Sequence, residues 1–502
     1  MKKKNRMSRR DFLKTTAAGA AAAGLAGVTS RALLRNLFGP VKAQEPIPIN
    51  SAVVIGTGFG GLTAASLLTD MGKEVTVLEK CHRPGGRCQV GTYPNGQHFT
   101  VAYMEWYDTD LDMFWLLNYL GFKPTDYYTW PDPTYYNWRD EYHFESGTWR
   151  KLINELPWDS EEGPEDQFEF EDEIWLEGDT VTEPFDAPES TYQEWDYTDA
   201  EDWMLTHHRS DVTEFMDINM RSEFGTNMYR QSCGMLYYSG YYWSESATYQ
   251  LKGPSGNYGF IEKLMQRIPP GSVHLNEEVT SVENTATGVQ VESKNGTYTA
   301  DVAIVSVPHT VVPNIVPELP TDRIAALQLL EANKNIVAVQ QFSEKFWETL
   351  YGMNGWGGYS DHGDYGTTRP GSYCIDHETF GQHEQPTGVL SEYVNEPEVF
   401  EWWSNPKGIH ASSGTAKKVS DAMLEDMENY WPGATNYCIE NSKRAYMWEP
   451  YVPVFKPRYV LDGTYAKNRL PIGNIWFAAD YIYDAGGNSA VIAAKDVVSN
   501  FT

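Results

Sequence analysis

The chain has 502 residues, 41% of them hydrophobic and 22% charged, which is enough apolar material for more than one ordinary core. Its formal charge of −30 argues against nucleic acids and anionic membrane surfaces as partners, since both would be repelled. The five cysteines (81, 88, 233, 374 and 438) are few for this length and lack metal-ligand spacing, so neither a disulfide framework nor a metal centre is expected.

The chain opens with a basic stretch from Lys2 to Lys14. An Ala/Gly-rich run from Thr15 to Val28 follows, and then Val41-Lys-Ala43, a small-residue cleavage pattern. The run is shorter than the ~20 apolar residues a membrane span needs, so no stable span is expected in the mature chain. Ser8-Arg-Arg-Asp-Phe-Leu-Lys14 resembles a twin-arginine export signal. The resemblance implies passage of the folded protein through the twin-arginine machinery, cleavage after Ala43, and a periplasmic or secreted product. Residues 1–43 carry ten Lys/Arg against Asp11; taking that +9 away from −30 leaves the mature chain at −39. Most of this charge reads as solubility outside the cytoplasm, and it also steers cationic small molecules inward.

The next element is the most informative. A buried-strand run from Ala52 to Ile55 enters a turn whose glycines at 56, 58 and 61 have G-x-G-x-x-G spacing. A helical pattern runs on to Met71, and a second strand ends on Glu79. Gly56 permits the tight turn, Gly58 lets the backbone approach a pyrophosphate, and Gly61 lets the helix pack on the strand. The phosphates would sit at the helix N-terminus beside Phe59 and Gly60, and Glu79 would accept hydrogen bonds from a ribose. Strand, turn, helix, strand and acid in this order specify a dinucleotide site.

Arg83-Pro-Gly-Gly-Arg87 follows directly. With it the chain resembles the flavin-containing amine oxidase superfamily, which includes monoamine, polyamine and L-amino-acid oxidases and has phytoene-desaturase-type enzymes as relatives. The resemblance implies FAD, with Gly85, Gly86 and Arg87 along its pyrophosphate and flavin side. It continues through Gly256-Asn-Tyr-Gly-Phe-Ile-Glu-Lys-Leu-Met265, through Val279, whose backbone would meet the adenine, and through Ala300 to Pro308. Asn474-Ile-Trp-Phe-Ala-Ala-Asp480 is similar to the family's last strand, which puts Asp480 at the ribityl chain. Gly486 to Val498 then reads as a glycine turn opening a helix, with Ser489 and Ala490 in its first turn. Its positive end would face the flavin pyrimidine ring. No cysteine lies close to this segment, so FAD is expected to be bound non-covalently.

The implied architecture is α/β: a discontinuous Rossmann-like FAD-binding domain (44–110, 251–320, 446–502) with an inserted α+β substrate-binding domain (111–250, 321–445). The first insertion holds Glu155 to Asp202, a stretch without Lys or Arg. Aromatics interleave its acids (Trp158, Phe168, Phe170, Trp175, Phe185, Tyr192, Trp195, Tyr197), which suggests an ordered flap packed on the body. Asp211 to Ser232 has helical spacing, with Phe215, Ile218, Met220 and Phe224 as core positions. The aromatic cluster Met235 to Trp243 is either core or pocket wall. In the second insertion Thr321 to Ala332 reads as a helix and Asn335 to Phe342 as a strand. Phe346-Trp347 then resembles a family signature beside the pocket floor.

The family pattern breaks on that strand. The position where most amine oxidases carry a Lys near flavin N5 falls on Val337, and Lys334 should face the other side. A second departure is Gly486, where the family often sets an aromatic. Tyr481, Tyr483, Tyr451 and Trp448 are the candidates for an aromatic wall, with Trp448-Glu-Pro-Tyr451 similar to a family segment; each has core packing as its alternative. His309 is either a proton acceptor near the ring or a loop histidine. The leading expectation is an exported FAD-dependent oxidoreductase that oxidises the C–N bond of an amine or amino acid by hydride transfer to flavin N5. A desaturase or dehydrogenase acting on C–C or C–O bonds is the alternative, and a non-catalytic flavoprotein subunit the third.

Overall fold

The computed structural model describes residues 45–502 apart from 104, 108–109, 130–134, 140, 145–148, 179–194, 237–247, 353–357, 361–371, 377–386, 397–398, 404–408, 460–463 and 484–485. The export signal, Phe185, Tyr192 and the cluster beyond Leu236 lie outside the described residues.

In chain order the elements that position the site are β1 (Ser51–Ile55), α1 (Phe59–Asp70), β2 (Glu74–Glu79), α2 (Ser210–Phe224), β3 (Val273–Leu275), β4 (Val302–Val305), β5 (Asn335–Phe342), β6 (Gly388–Val394), β7 (Arg444–Trp448), β8 (Ile475–Phe477) and α3 (Gly486–Val498). Strands β3-β2-β1-β4-β8, in that order, form a five-stranded sheet, parallel throughout. A parallel sheet is covered on both faces, which is why β1 and β4 are unbroken apolar runs. Ala52 and Val54 pack with α1 and α3 residues such as Leu62 and Val491. Val53 and Ile55 face a second core that includes Phe215, Val282 and Val291. The five strands come from three separate stretches of chain, 51–79, 273–305 and 475–477.

A seven-stranded sheet is the second large sheet. Its order is β7-β5-β6, then Ser372–Asp376, Gly358–Ser360, Tyr135–Trp138 and Glu141–Phe144. β5 is buried along its whole length between antiparallel β6 and β7. Its two faces divide by strand alternation. Ile336, Ala338 and Phe342 pack under the helix Ser413–Tyr430, whereas Val337 and Val339 join Tyr393, Tyr446 and Trp448 on the side facing Val101 and Ala102.

Two sequence expectations need correction here. The helix begun at Thr321 stops at Gln328, and Leu330–Ala332 is a strand paired antiparallel with Pro453–Phe455. The partner strand lies more than a hundred residues away, so local spacing carried no sign of it. The substrate-domain boundary at 445 falls inside β7, which pairs with β5 from Arg444 to Trp448 and belongs with that sheet. In the acidic stretch, Phe168, Phe170 and Trp195 are buried, and Trp158 sits edge-on to Trp138 and Phe215. Arg139 and Arg209 bind acids on both this stretch and α2. No described residue from Glu155 to Asp202 lines the main cavity. Among the described residues no helix is long and apolar enough to cross a membrane.

Candidate active site

The C-terminal ends of β1, β2 and β4 open into a cavity of about 980 Å³, the position where ligands bind in open α/β sheets. The glycine turn fits it by geometry. Gly56 has φ +101°, and a Cβ there would lie 2.3 Å from the Ser306 carbonyl oxygen. A Cβ on Gly61 would come 2.1 Å from the Gly56 oxygen, and one on Gly60 would come 2.1 Å from the Ala478 oxygen. At Gly58 a Cβ would meet nothing within 4 Å, because this residue borders open cavity. Gly58 caps α1 without any side-chain cap, so the N–H groups that a helix start leaves over are available to an anion.

Glu79 ends β2 on the cavity wall with its carboxylate already organised. It accepts from Thr57 N (3.0 Å), Thr57 Oγ1 (2.5 Å) and Cys81 N (2.8 Å). The acid thus ties the glycine turn to the strand end as well as facing the ligand space. Arg87 donates to Asp480 (2.5 Å) and to the Tyr451 carbonyl (2.6 Å), joining three segments at one point. The first turn of α3 reaches the cavity through Gly486, Gly487 and Asn488. Asn488 in turn accepts from the backbone of Asp112 and Met113. The cradle of glycines, the uncapped start of α1 and the start of α3 together suit a long anionic cofactor with an aromatic end.

The rest of the cavity is aromatic with acids at its edge. Tyr393, Trp448 and Tyr451 line it, with the Tyr393 and Tyr451 rings 6.1 Å apart. Trp448 Nε1 donates to the Val101 carbonyl (3.2 Å) and the Tyr393 hydroxyl to the Ala102 carbonyl (2.9 Å), so both rings are held from behind. Phe224, at the end of α2, and Trp403 also line the wall, and Glu105 and Asp110 bring negative charge to it, whereas Glu449 there is paired with Lys334. The Tyr107 hydroxyl donates to Glu105 (2.8 Å).

Of the residues expected at a cofactor, Gly56, Gly58, Phe59, Gly60, Glu79, Gly86, Arg87, Val279, Asp480 and Ala490 line this cavity. Gly61 and Ser489 do not: Gly61 packs against Gly56, and Ser489 is fully buried in α3. Of the wall candidates, Trp448 and Tyr451 line the cavity, whereas Tyr483 does not. The Tyr483 hydroxyl instead pairs with Arg469 (2.6 Å) and with Asp496 far along α3, because the 3-10 turn Asp480–Ile482 rotates it away. Tyr481 is likewise buried outside the cavity, edge-on to His309. His309 is itself buried, and burial holds its pKa down at about 4, with nearby Asp480 opposing and Arg87 and Lys456 adding to the effect.

Val337 sits in register with Tyr393 on one side and Tyr446 on the other. Lys334 turns away from it to pair with Glu449, its Nζ 5.2 Å from the Trp403 ring. Sequence reasoning did not single out Tyr393, Glu105 or Asp110. Tyr393 was findable only through the strand register that places it opposite Val337.

Residues 59–491 match the model of the flavin containing amine oxidoreductase family, and residues 6–26 match that of the twin-arginine translocation pathway signal sequence. An L-amino-acid oxidase from Demansia vestigiata is 22% identical over 489 residues, covering 89% of this chain and 86% of that protein. A flavin-containing amine oxidase A from Sus scrofa is 26% identical over 61% of this chain and 59% of its own. Other relatives match only locally: an inactive all-trans-retinol 13,14-reductase from Danio rerio is 47% identical over 51 residues, so this chain spans 8% of its length. Among solved structures, putrescine oxidase bound to putrescine superposes with a TM-score of 0.72 at 17% identity, covering 90% of this chain and 98% of that one. Cyclohexylamine oxidase from Brevibacterium oxydans gives 0.70 at 17% identity with the same coverage.

Proposed function

The chain belongs to the flavin-containing amine oxidoreductase family, and on that premise we propose that it is an exported enzyme that oxidises the C–N bond of a cationic amine with non-covalent FAD. It is a flavin-dependent oxidoreductase carrying a twin-arginine signal. The observation that carries the finer reading is the aromatic wall of Tyr393, Trp448 and Tyr451 with Glu105 and Asp110 on the same cavity.

The uncapped start of α1, Glu79 and the start of α3 are the groups that would hold FAD. When bound there, FAD supplies the acceptor for a hydride. The cavity thiols suit non-covalent binding, because burial raises the pKa of Cys81 and raises that of Cys88 further. Both therefore stay as thiols rather than reactive thiolates. The acids draw an ammonium ion toward the cavity. The aromatic interior then desolvates it, which favours loss of its proton and leaves the neutral amine that hydride removal requires. Trp448 and Tyr393, pinned to the Val101 and Ala102 carbonyls, fix the wall against which the substrate is oriented. The product imine would be hydrolysed by water on release.

Val337 supports a second reading. A buried valine where most of the family carries lysine suits oxidation of a C–C or C–O bond, which needs no amine-handling group. The mature protein with an artificial electron acceptor decides between the two. Release of a carbonyl compound and an amine or ammonia in step with acceptor reduction is expected from primary amines, polyamines or L-amino acids. Acceptor reduction by alcohols or unsaturated hydrocarbons alone would support the second reading.

A further inference from the structure

We propose that Asn333, with Gly225 beside it, is a positioning residue that fixes Phe224 and Tyr451 and so sets which substrates the cavity accepts by their width. The inference deepens the enzyme reading above and rests on it. Asn333 is fully buried and does not itself line the cavity. Phe224, Tyr451 and Val452 do line it, and the Asn333 side chain is bonded to all three. Its NH₂ donates to the Phe224 carbonyl. Its amide oxygen accepts from Tyr451 N (3.1 Å) and Val452 N (3.0 Å). An amide has donors on one side and an acceptor on the other, so a single side chain satisfies a carbonyl and two N–H groups at once. The last residue of α2 is thereby tied to the segment that follows β7, although the two lie far apart in the chain.

Gly225 is the other half of the junction. It ends α2 in the left-handed region with φ +72°, as glycine commonly does at this point of a helix. A Cβ there would lie 3.0 Å from Tyr451 Cδ1 and 3.1 Å from Asn333 Nδ2. Gly225 is buried and outside the cavity lining, so it backs the Tyr451 ring from the protein side. Added bulk at Gly225 would push that ring toward the cavity, and loss of the Asn333 amide would release it. The Tyr451 backbone is anchored separately, because its carbonyl accepts from Arg87 (2.6 Å). The ring's neighbour in the wall is Tyr393, 6.1 Å away between centroids. Small displacements matter at such a wall: one methylene in an apolar pocket changes discrimination by about 10- to 200-fold.

The test measures kcat and KM of the FAD-loaded mature protein for a bulky amine, benzylamine, and a slender one, butylamine, in wild type, Asn333→Ala and Gly225→Ala. Asn333→Ala is expected to raise the bulky-to-slender ratio of kcat/KM about tenfold, and Gly225→Ala to lower it by a similar factor. FAD affinity should stay near wild type in both. Loss of folded enzyme alone lowers kcat equally for both amines and leaves KM and the ratio untouched. An unchanged ratio in either variant would therefore overturn the inference, as would a shift in the same direction in both. Should Asn333→Ala fail to fold, Asn333→Asp takes its place: it keeps the acceptor, sets an oxygen against the Phe224 carbonyl, and must raise the ratio. A wild-type flavin that no amine reduces would fell the amine reading alone, and the ratio is then read with benzyl alcohol and butanol. If neither class is oxidised, the enzyme reading falls, and this inference with it.

Discussion

Replacing Glu79 by Gln probes the cofactor site at the point where sequence motif and structure meet. Glu79 is 8% exposed, and its carboxylate accepts three bonds, two from Thr57 on Oε2 and one from Cys81 N on Oε1. An amide has one oxygen. Turned toward Thr57 it keeps that pair, but its NH₂ then faces the Cys81 N–H. One hydrogen bond to a charged acceptor is lost and a buried donor is left over, at about 2–3 kcal/mol. That corresponds to roughly 30- to 150-fold in the equilibrium that organises the glycine turn. Glu79→Ala leaves the Thr57 and Cys81 N–H groups both unpaired, for about 2–6 kcal/mol. FAD affinity of the apoprotein, from quenching of FAD fluorescence, should fall at least tenfold in Glu79→Gln and further in Glu79→Ala, with lower melting temperatures in the same order. Wild-type affinity and melting temperature in Glu79→Gln would refute the reasoning, because the acid would then organise neither the turn nor the ligand.

Val337→Lys places an ammonium in a fully buried strand between Tyr393 and Tyr446. It should cost about 2–4 kcal/mol in denaturant unfolding and change the rate of flavin reduction or reoxidation in stopped flow without loss of FAD; unchanged rates would count against Val337 facing the chemistry. His309 makes stability depend on pH. Burial lowers its folded pKa to about 4, below the ordinary 6.5, so the unfolded chain binds the extra proton between those values and stability falls as pH drops from about 6.5 to 4. The loss should approach about 3 kcal/mol and vanish in His309→Gln, as followed by urea unfolding across that range. Tyr483→Phe removes the bonds to Arg469 and Asp496; it should lower stability by about 1–3 kcal/mol while leaving FAD affinity and steady-state rate near wild type, and a large drop in rate would return Tyr483 to the cavity wall.

What could be read in the sequence was whatever depends on short spacing. The run from Ser51 to Glu79 encodes strand, turn, helix and acid within thirty residues, and the steric reasons for its glycines reappear as distances to the Ser306, Gly56 and Ala478 oxygens. The strand from Asn335 to Phe342 was legible for the same reason, with both bounds as found. The substrate side was not legible, because it depends on register between distant strands. Tyr393 meets Val337 only through the pairing of β6 with β5, and Tyr451 is held by Arg87 from the first segment. Tyr481 and Tyr483 failed as wall candidates for a related reason. Proximity in sequence to Asp480 does not set direction, and the short 3-10 turn sends both rings away from the cavity.

The central claim, oxidation of an amine C–N bond at this cavity, is tested most directly by anaerobic titration of the purified, FAD-loaded mature protein. Primary amines, polyamines and L-amino acids are added in turn while the visible absorbance of the bound flavin is followed. Bleaching by one of these classes, with a weaker response after Glu105→Gln if the acid draws in the cation, is the expected result. A flavin that stays oxidised across the whole panel, yet bleaches with an alcohol or an unsaturated hydrocarbon, would contradict it.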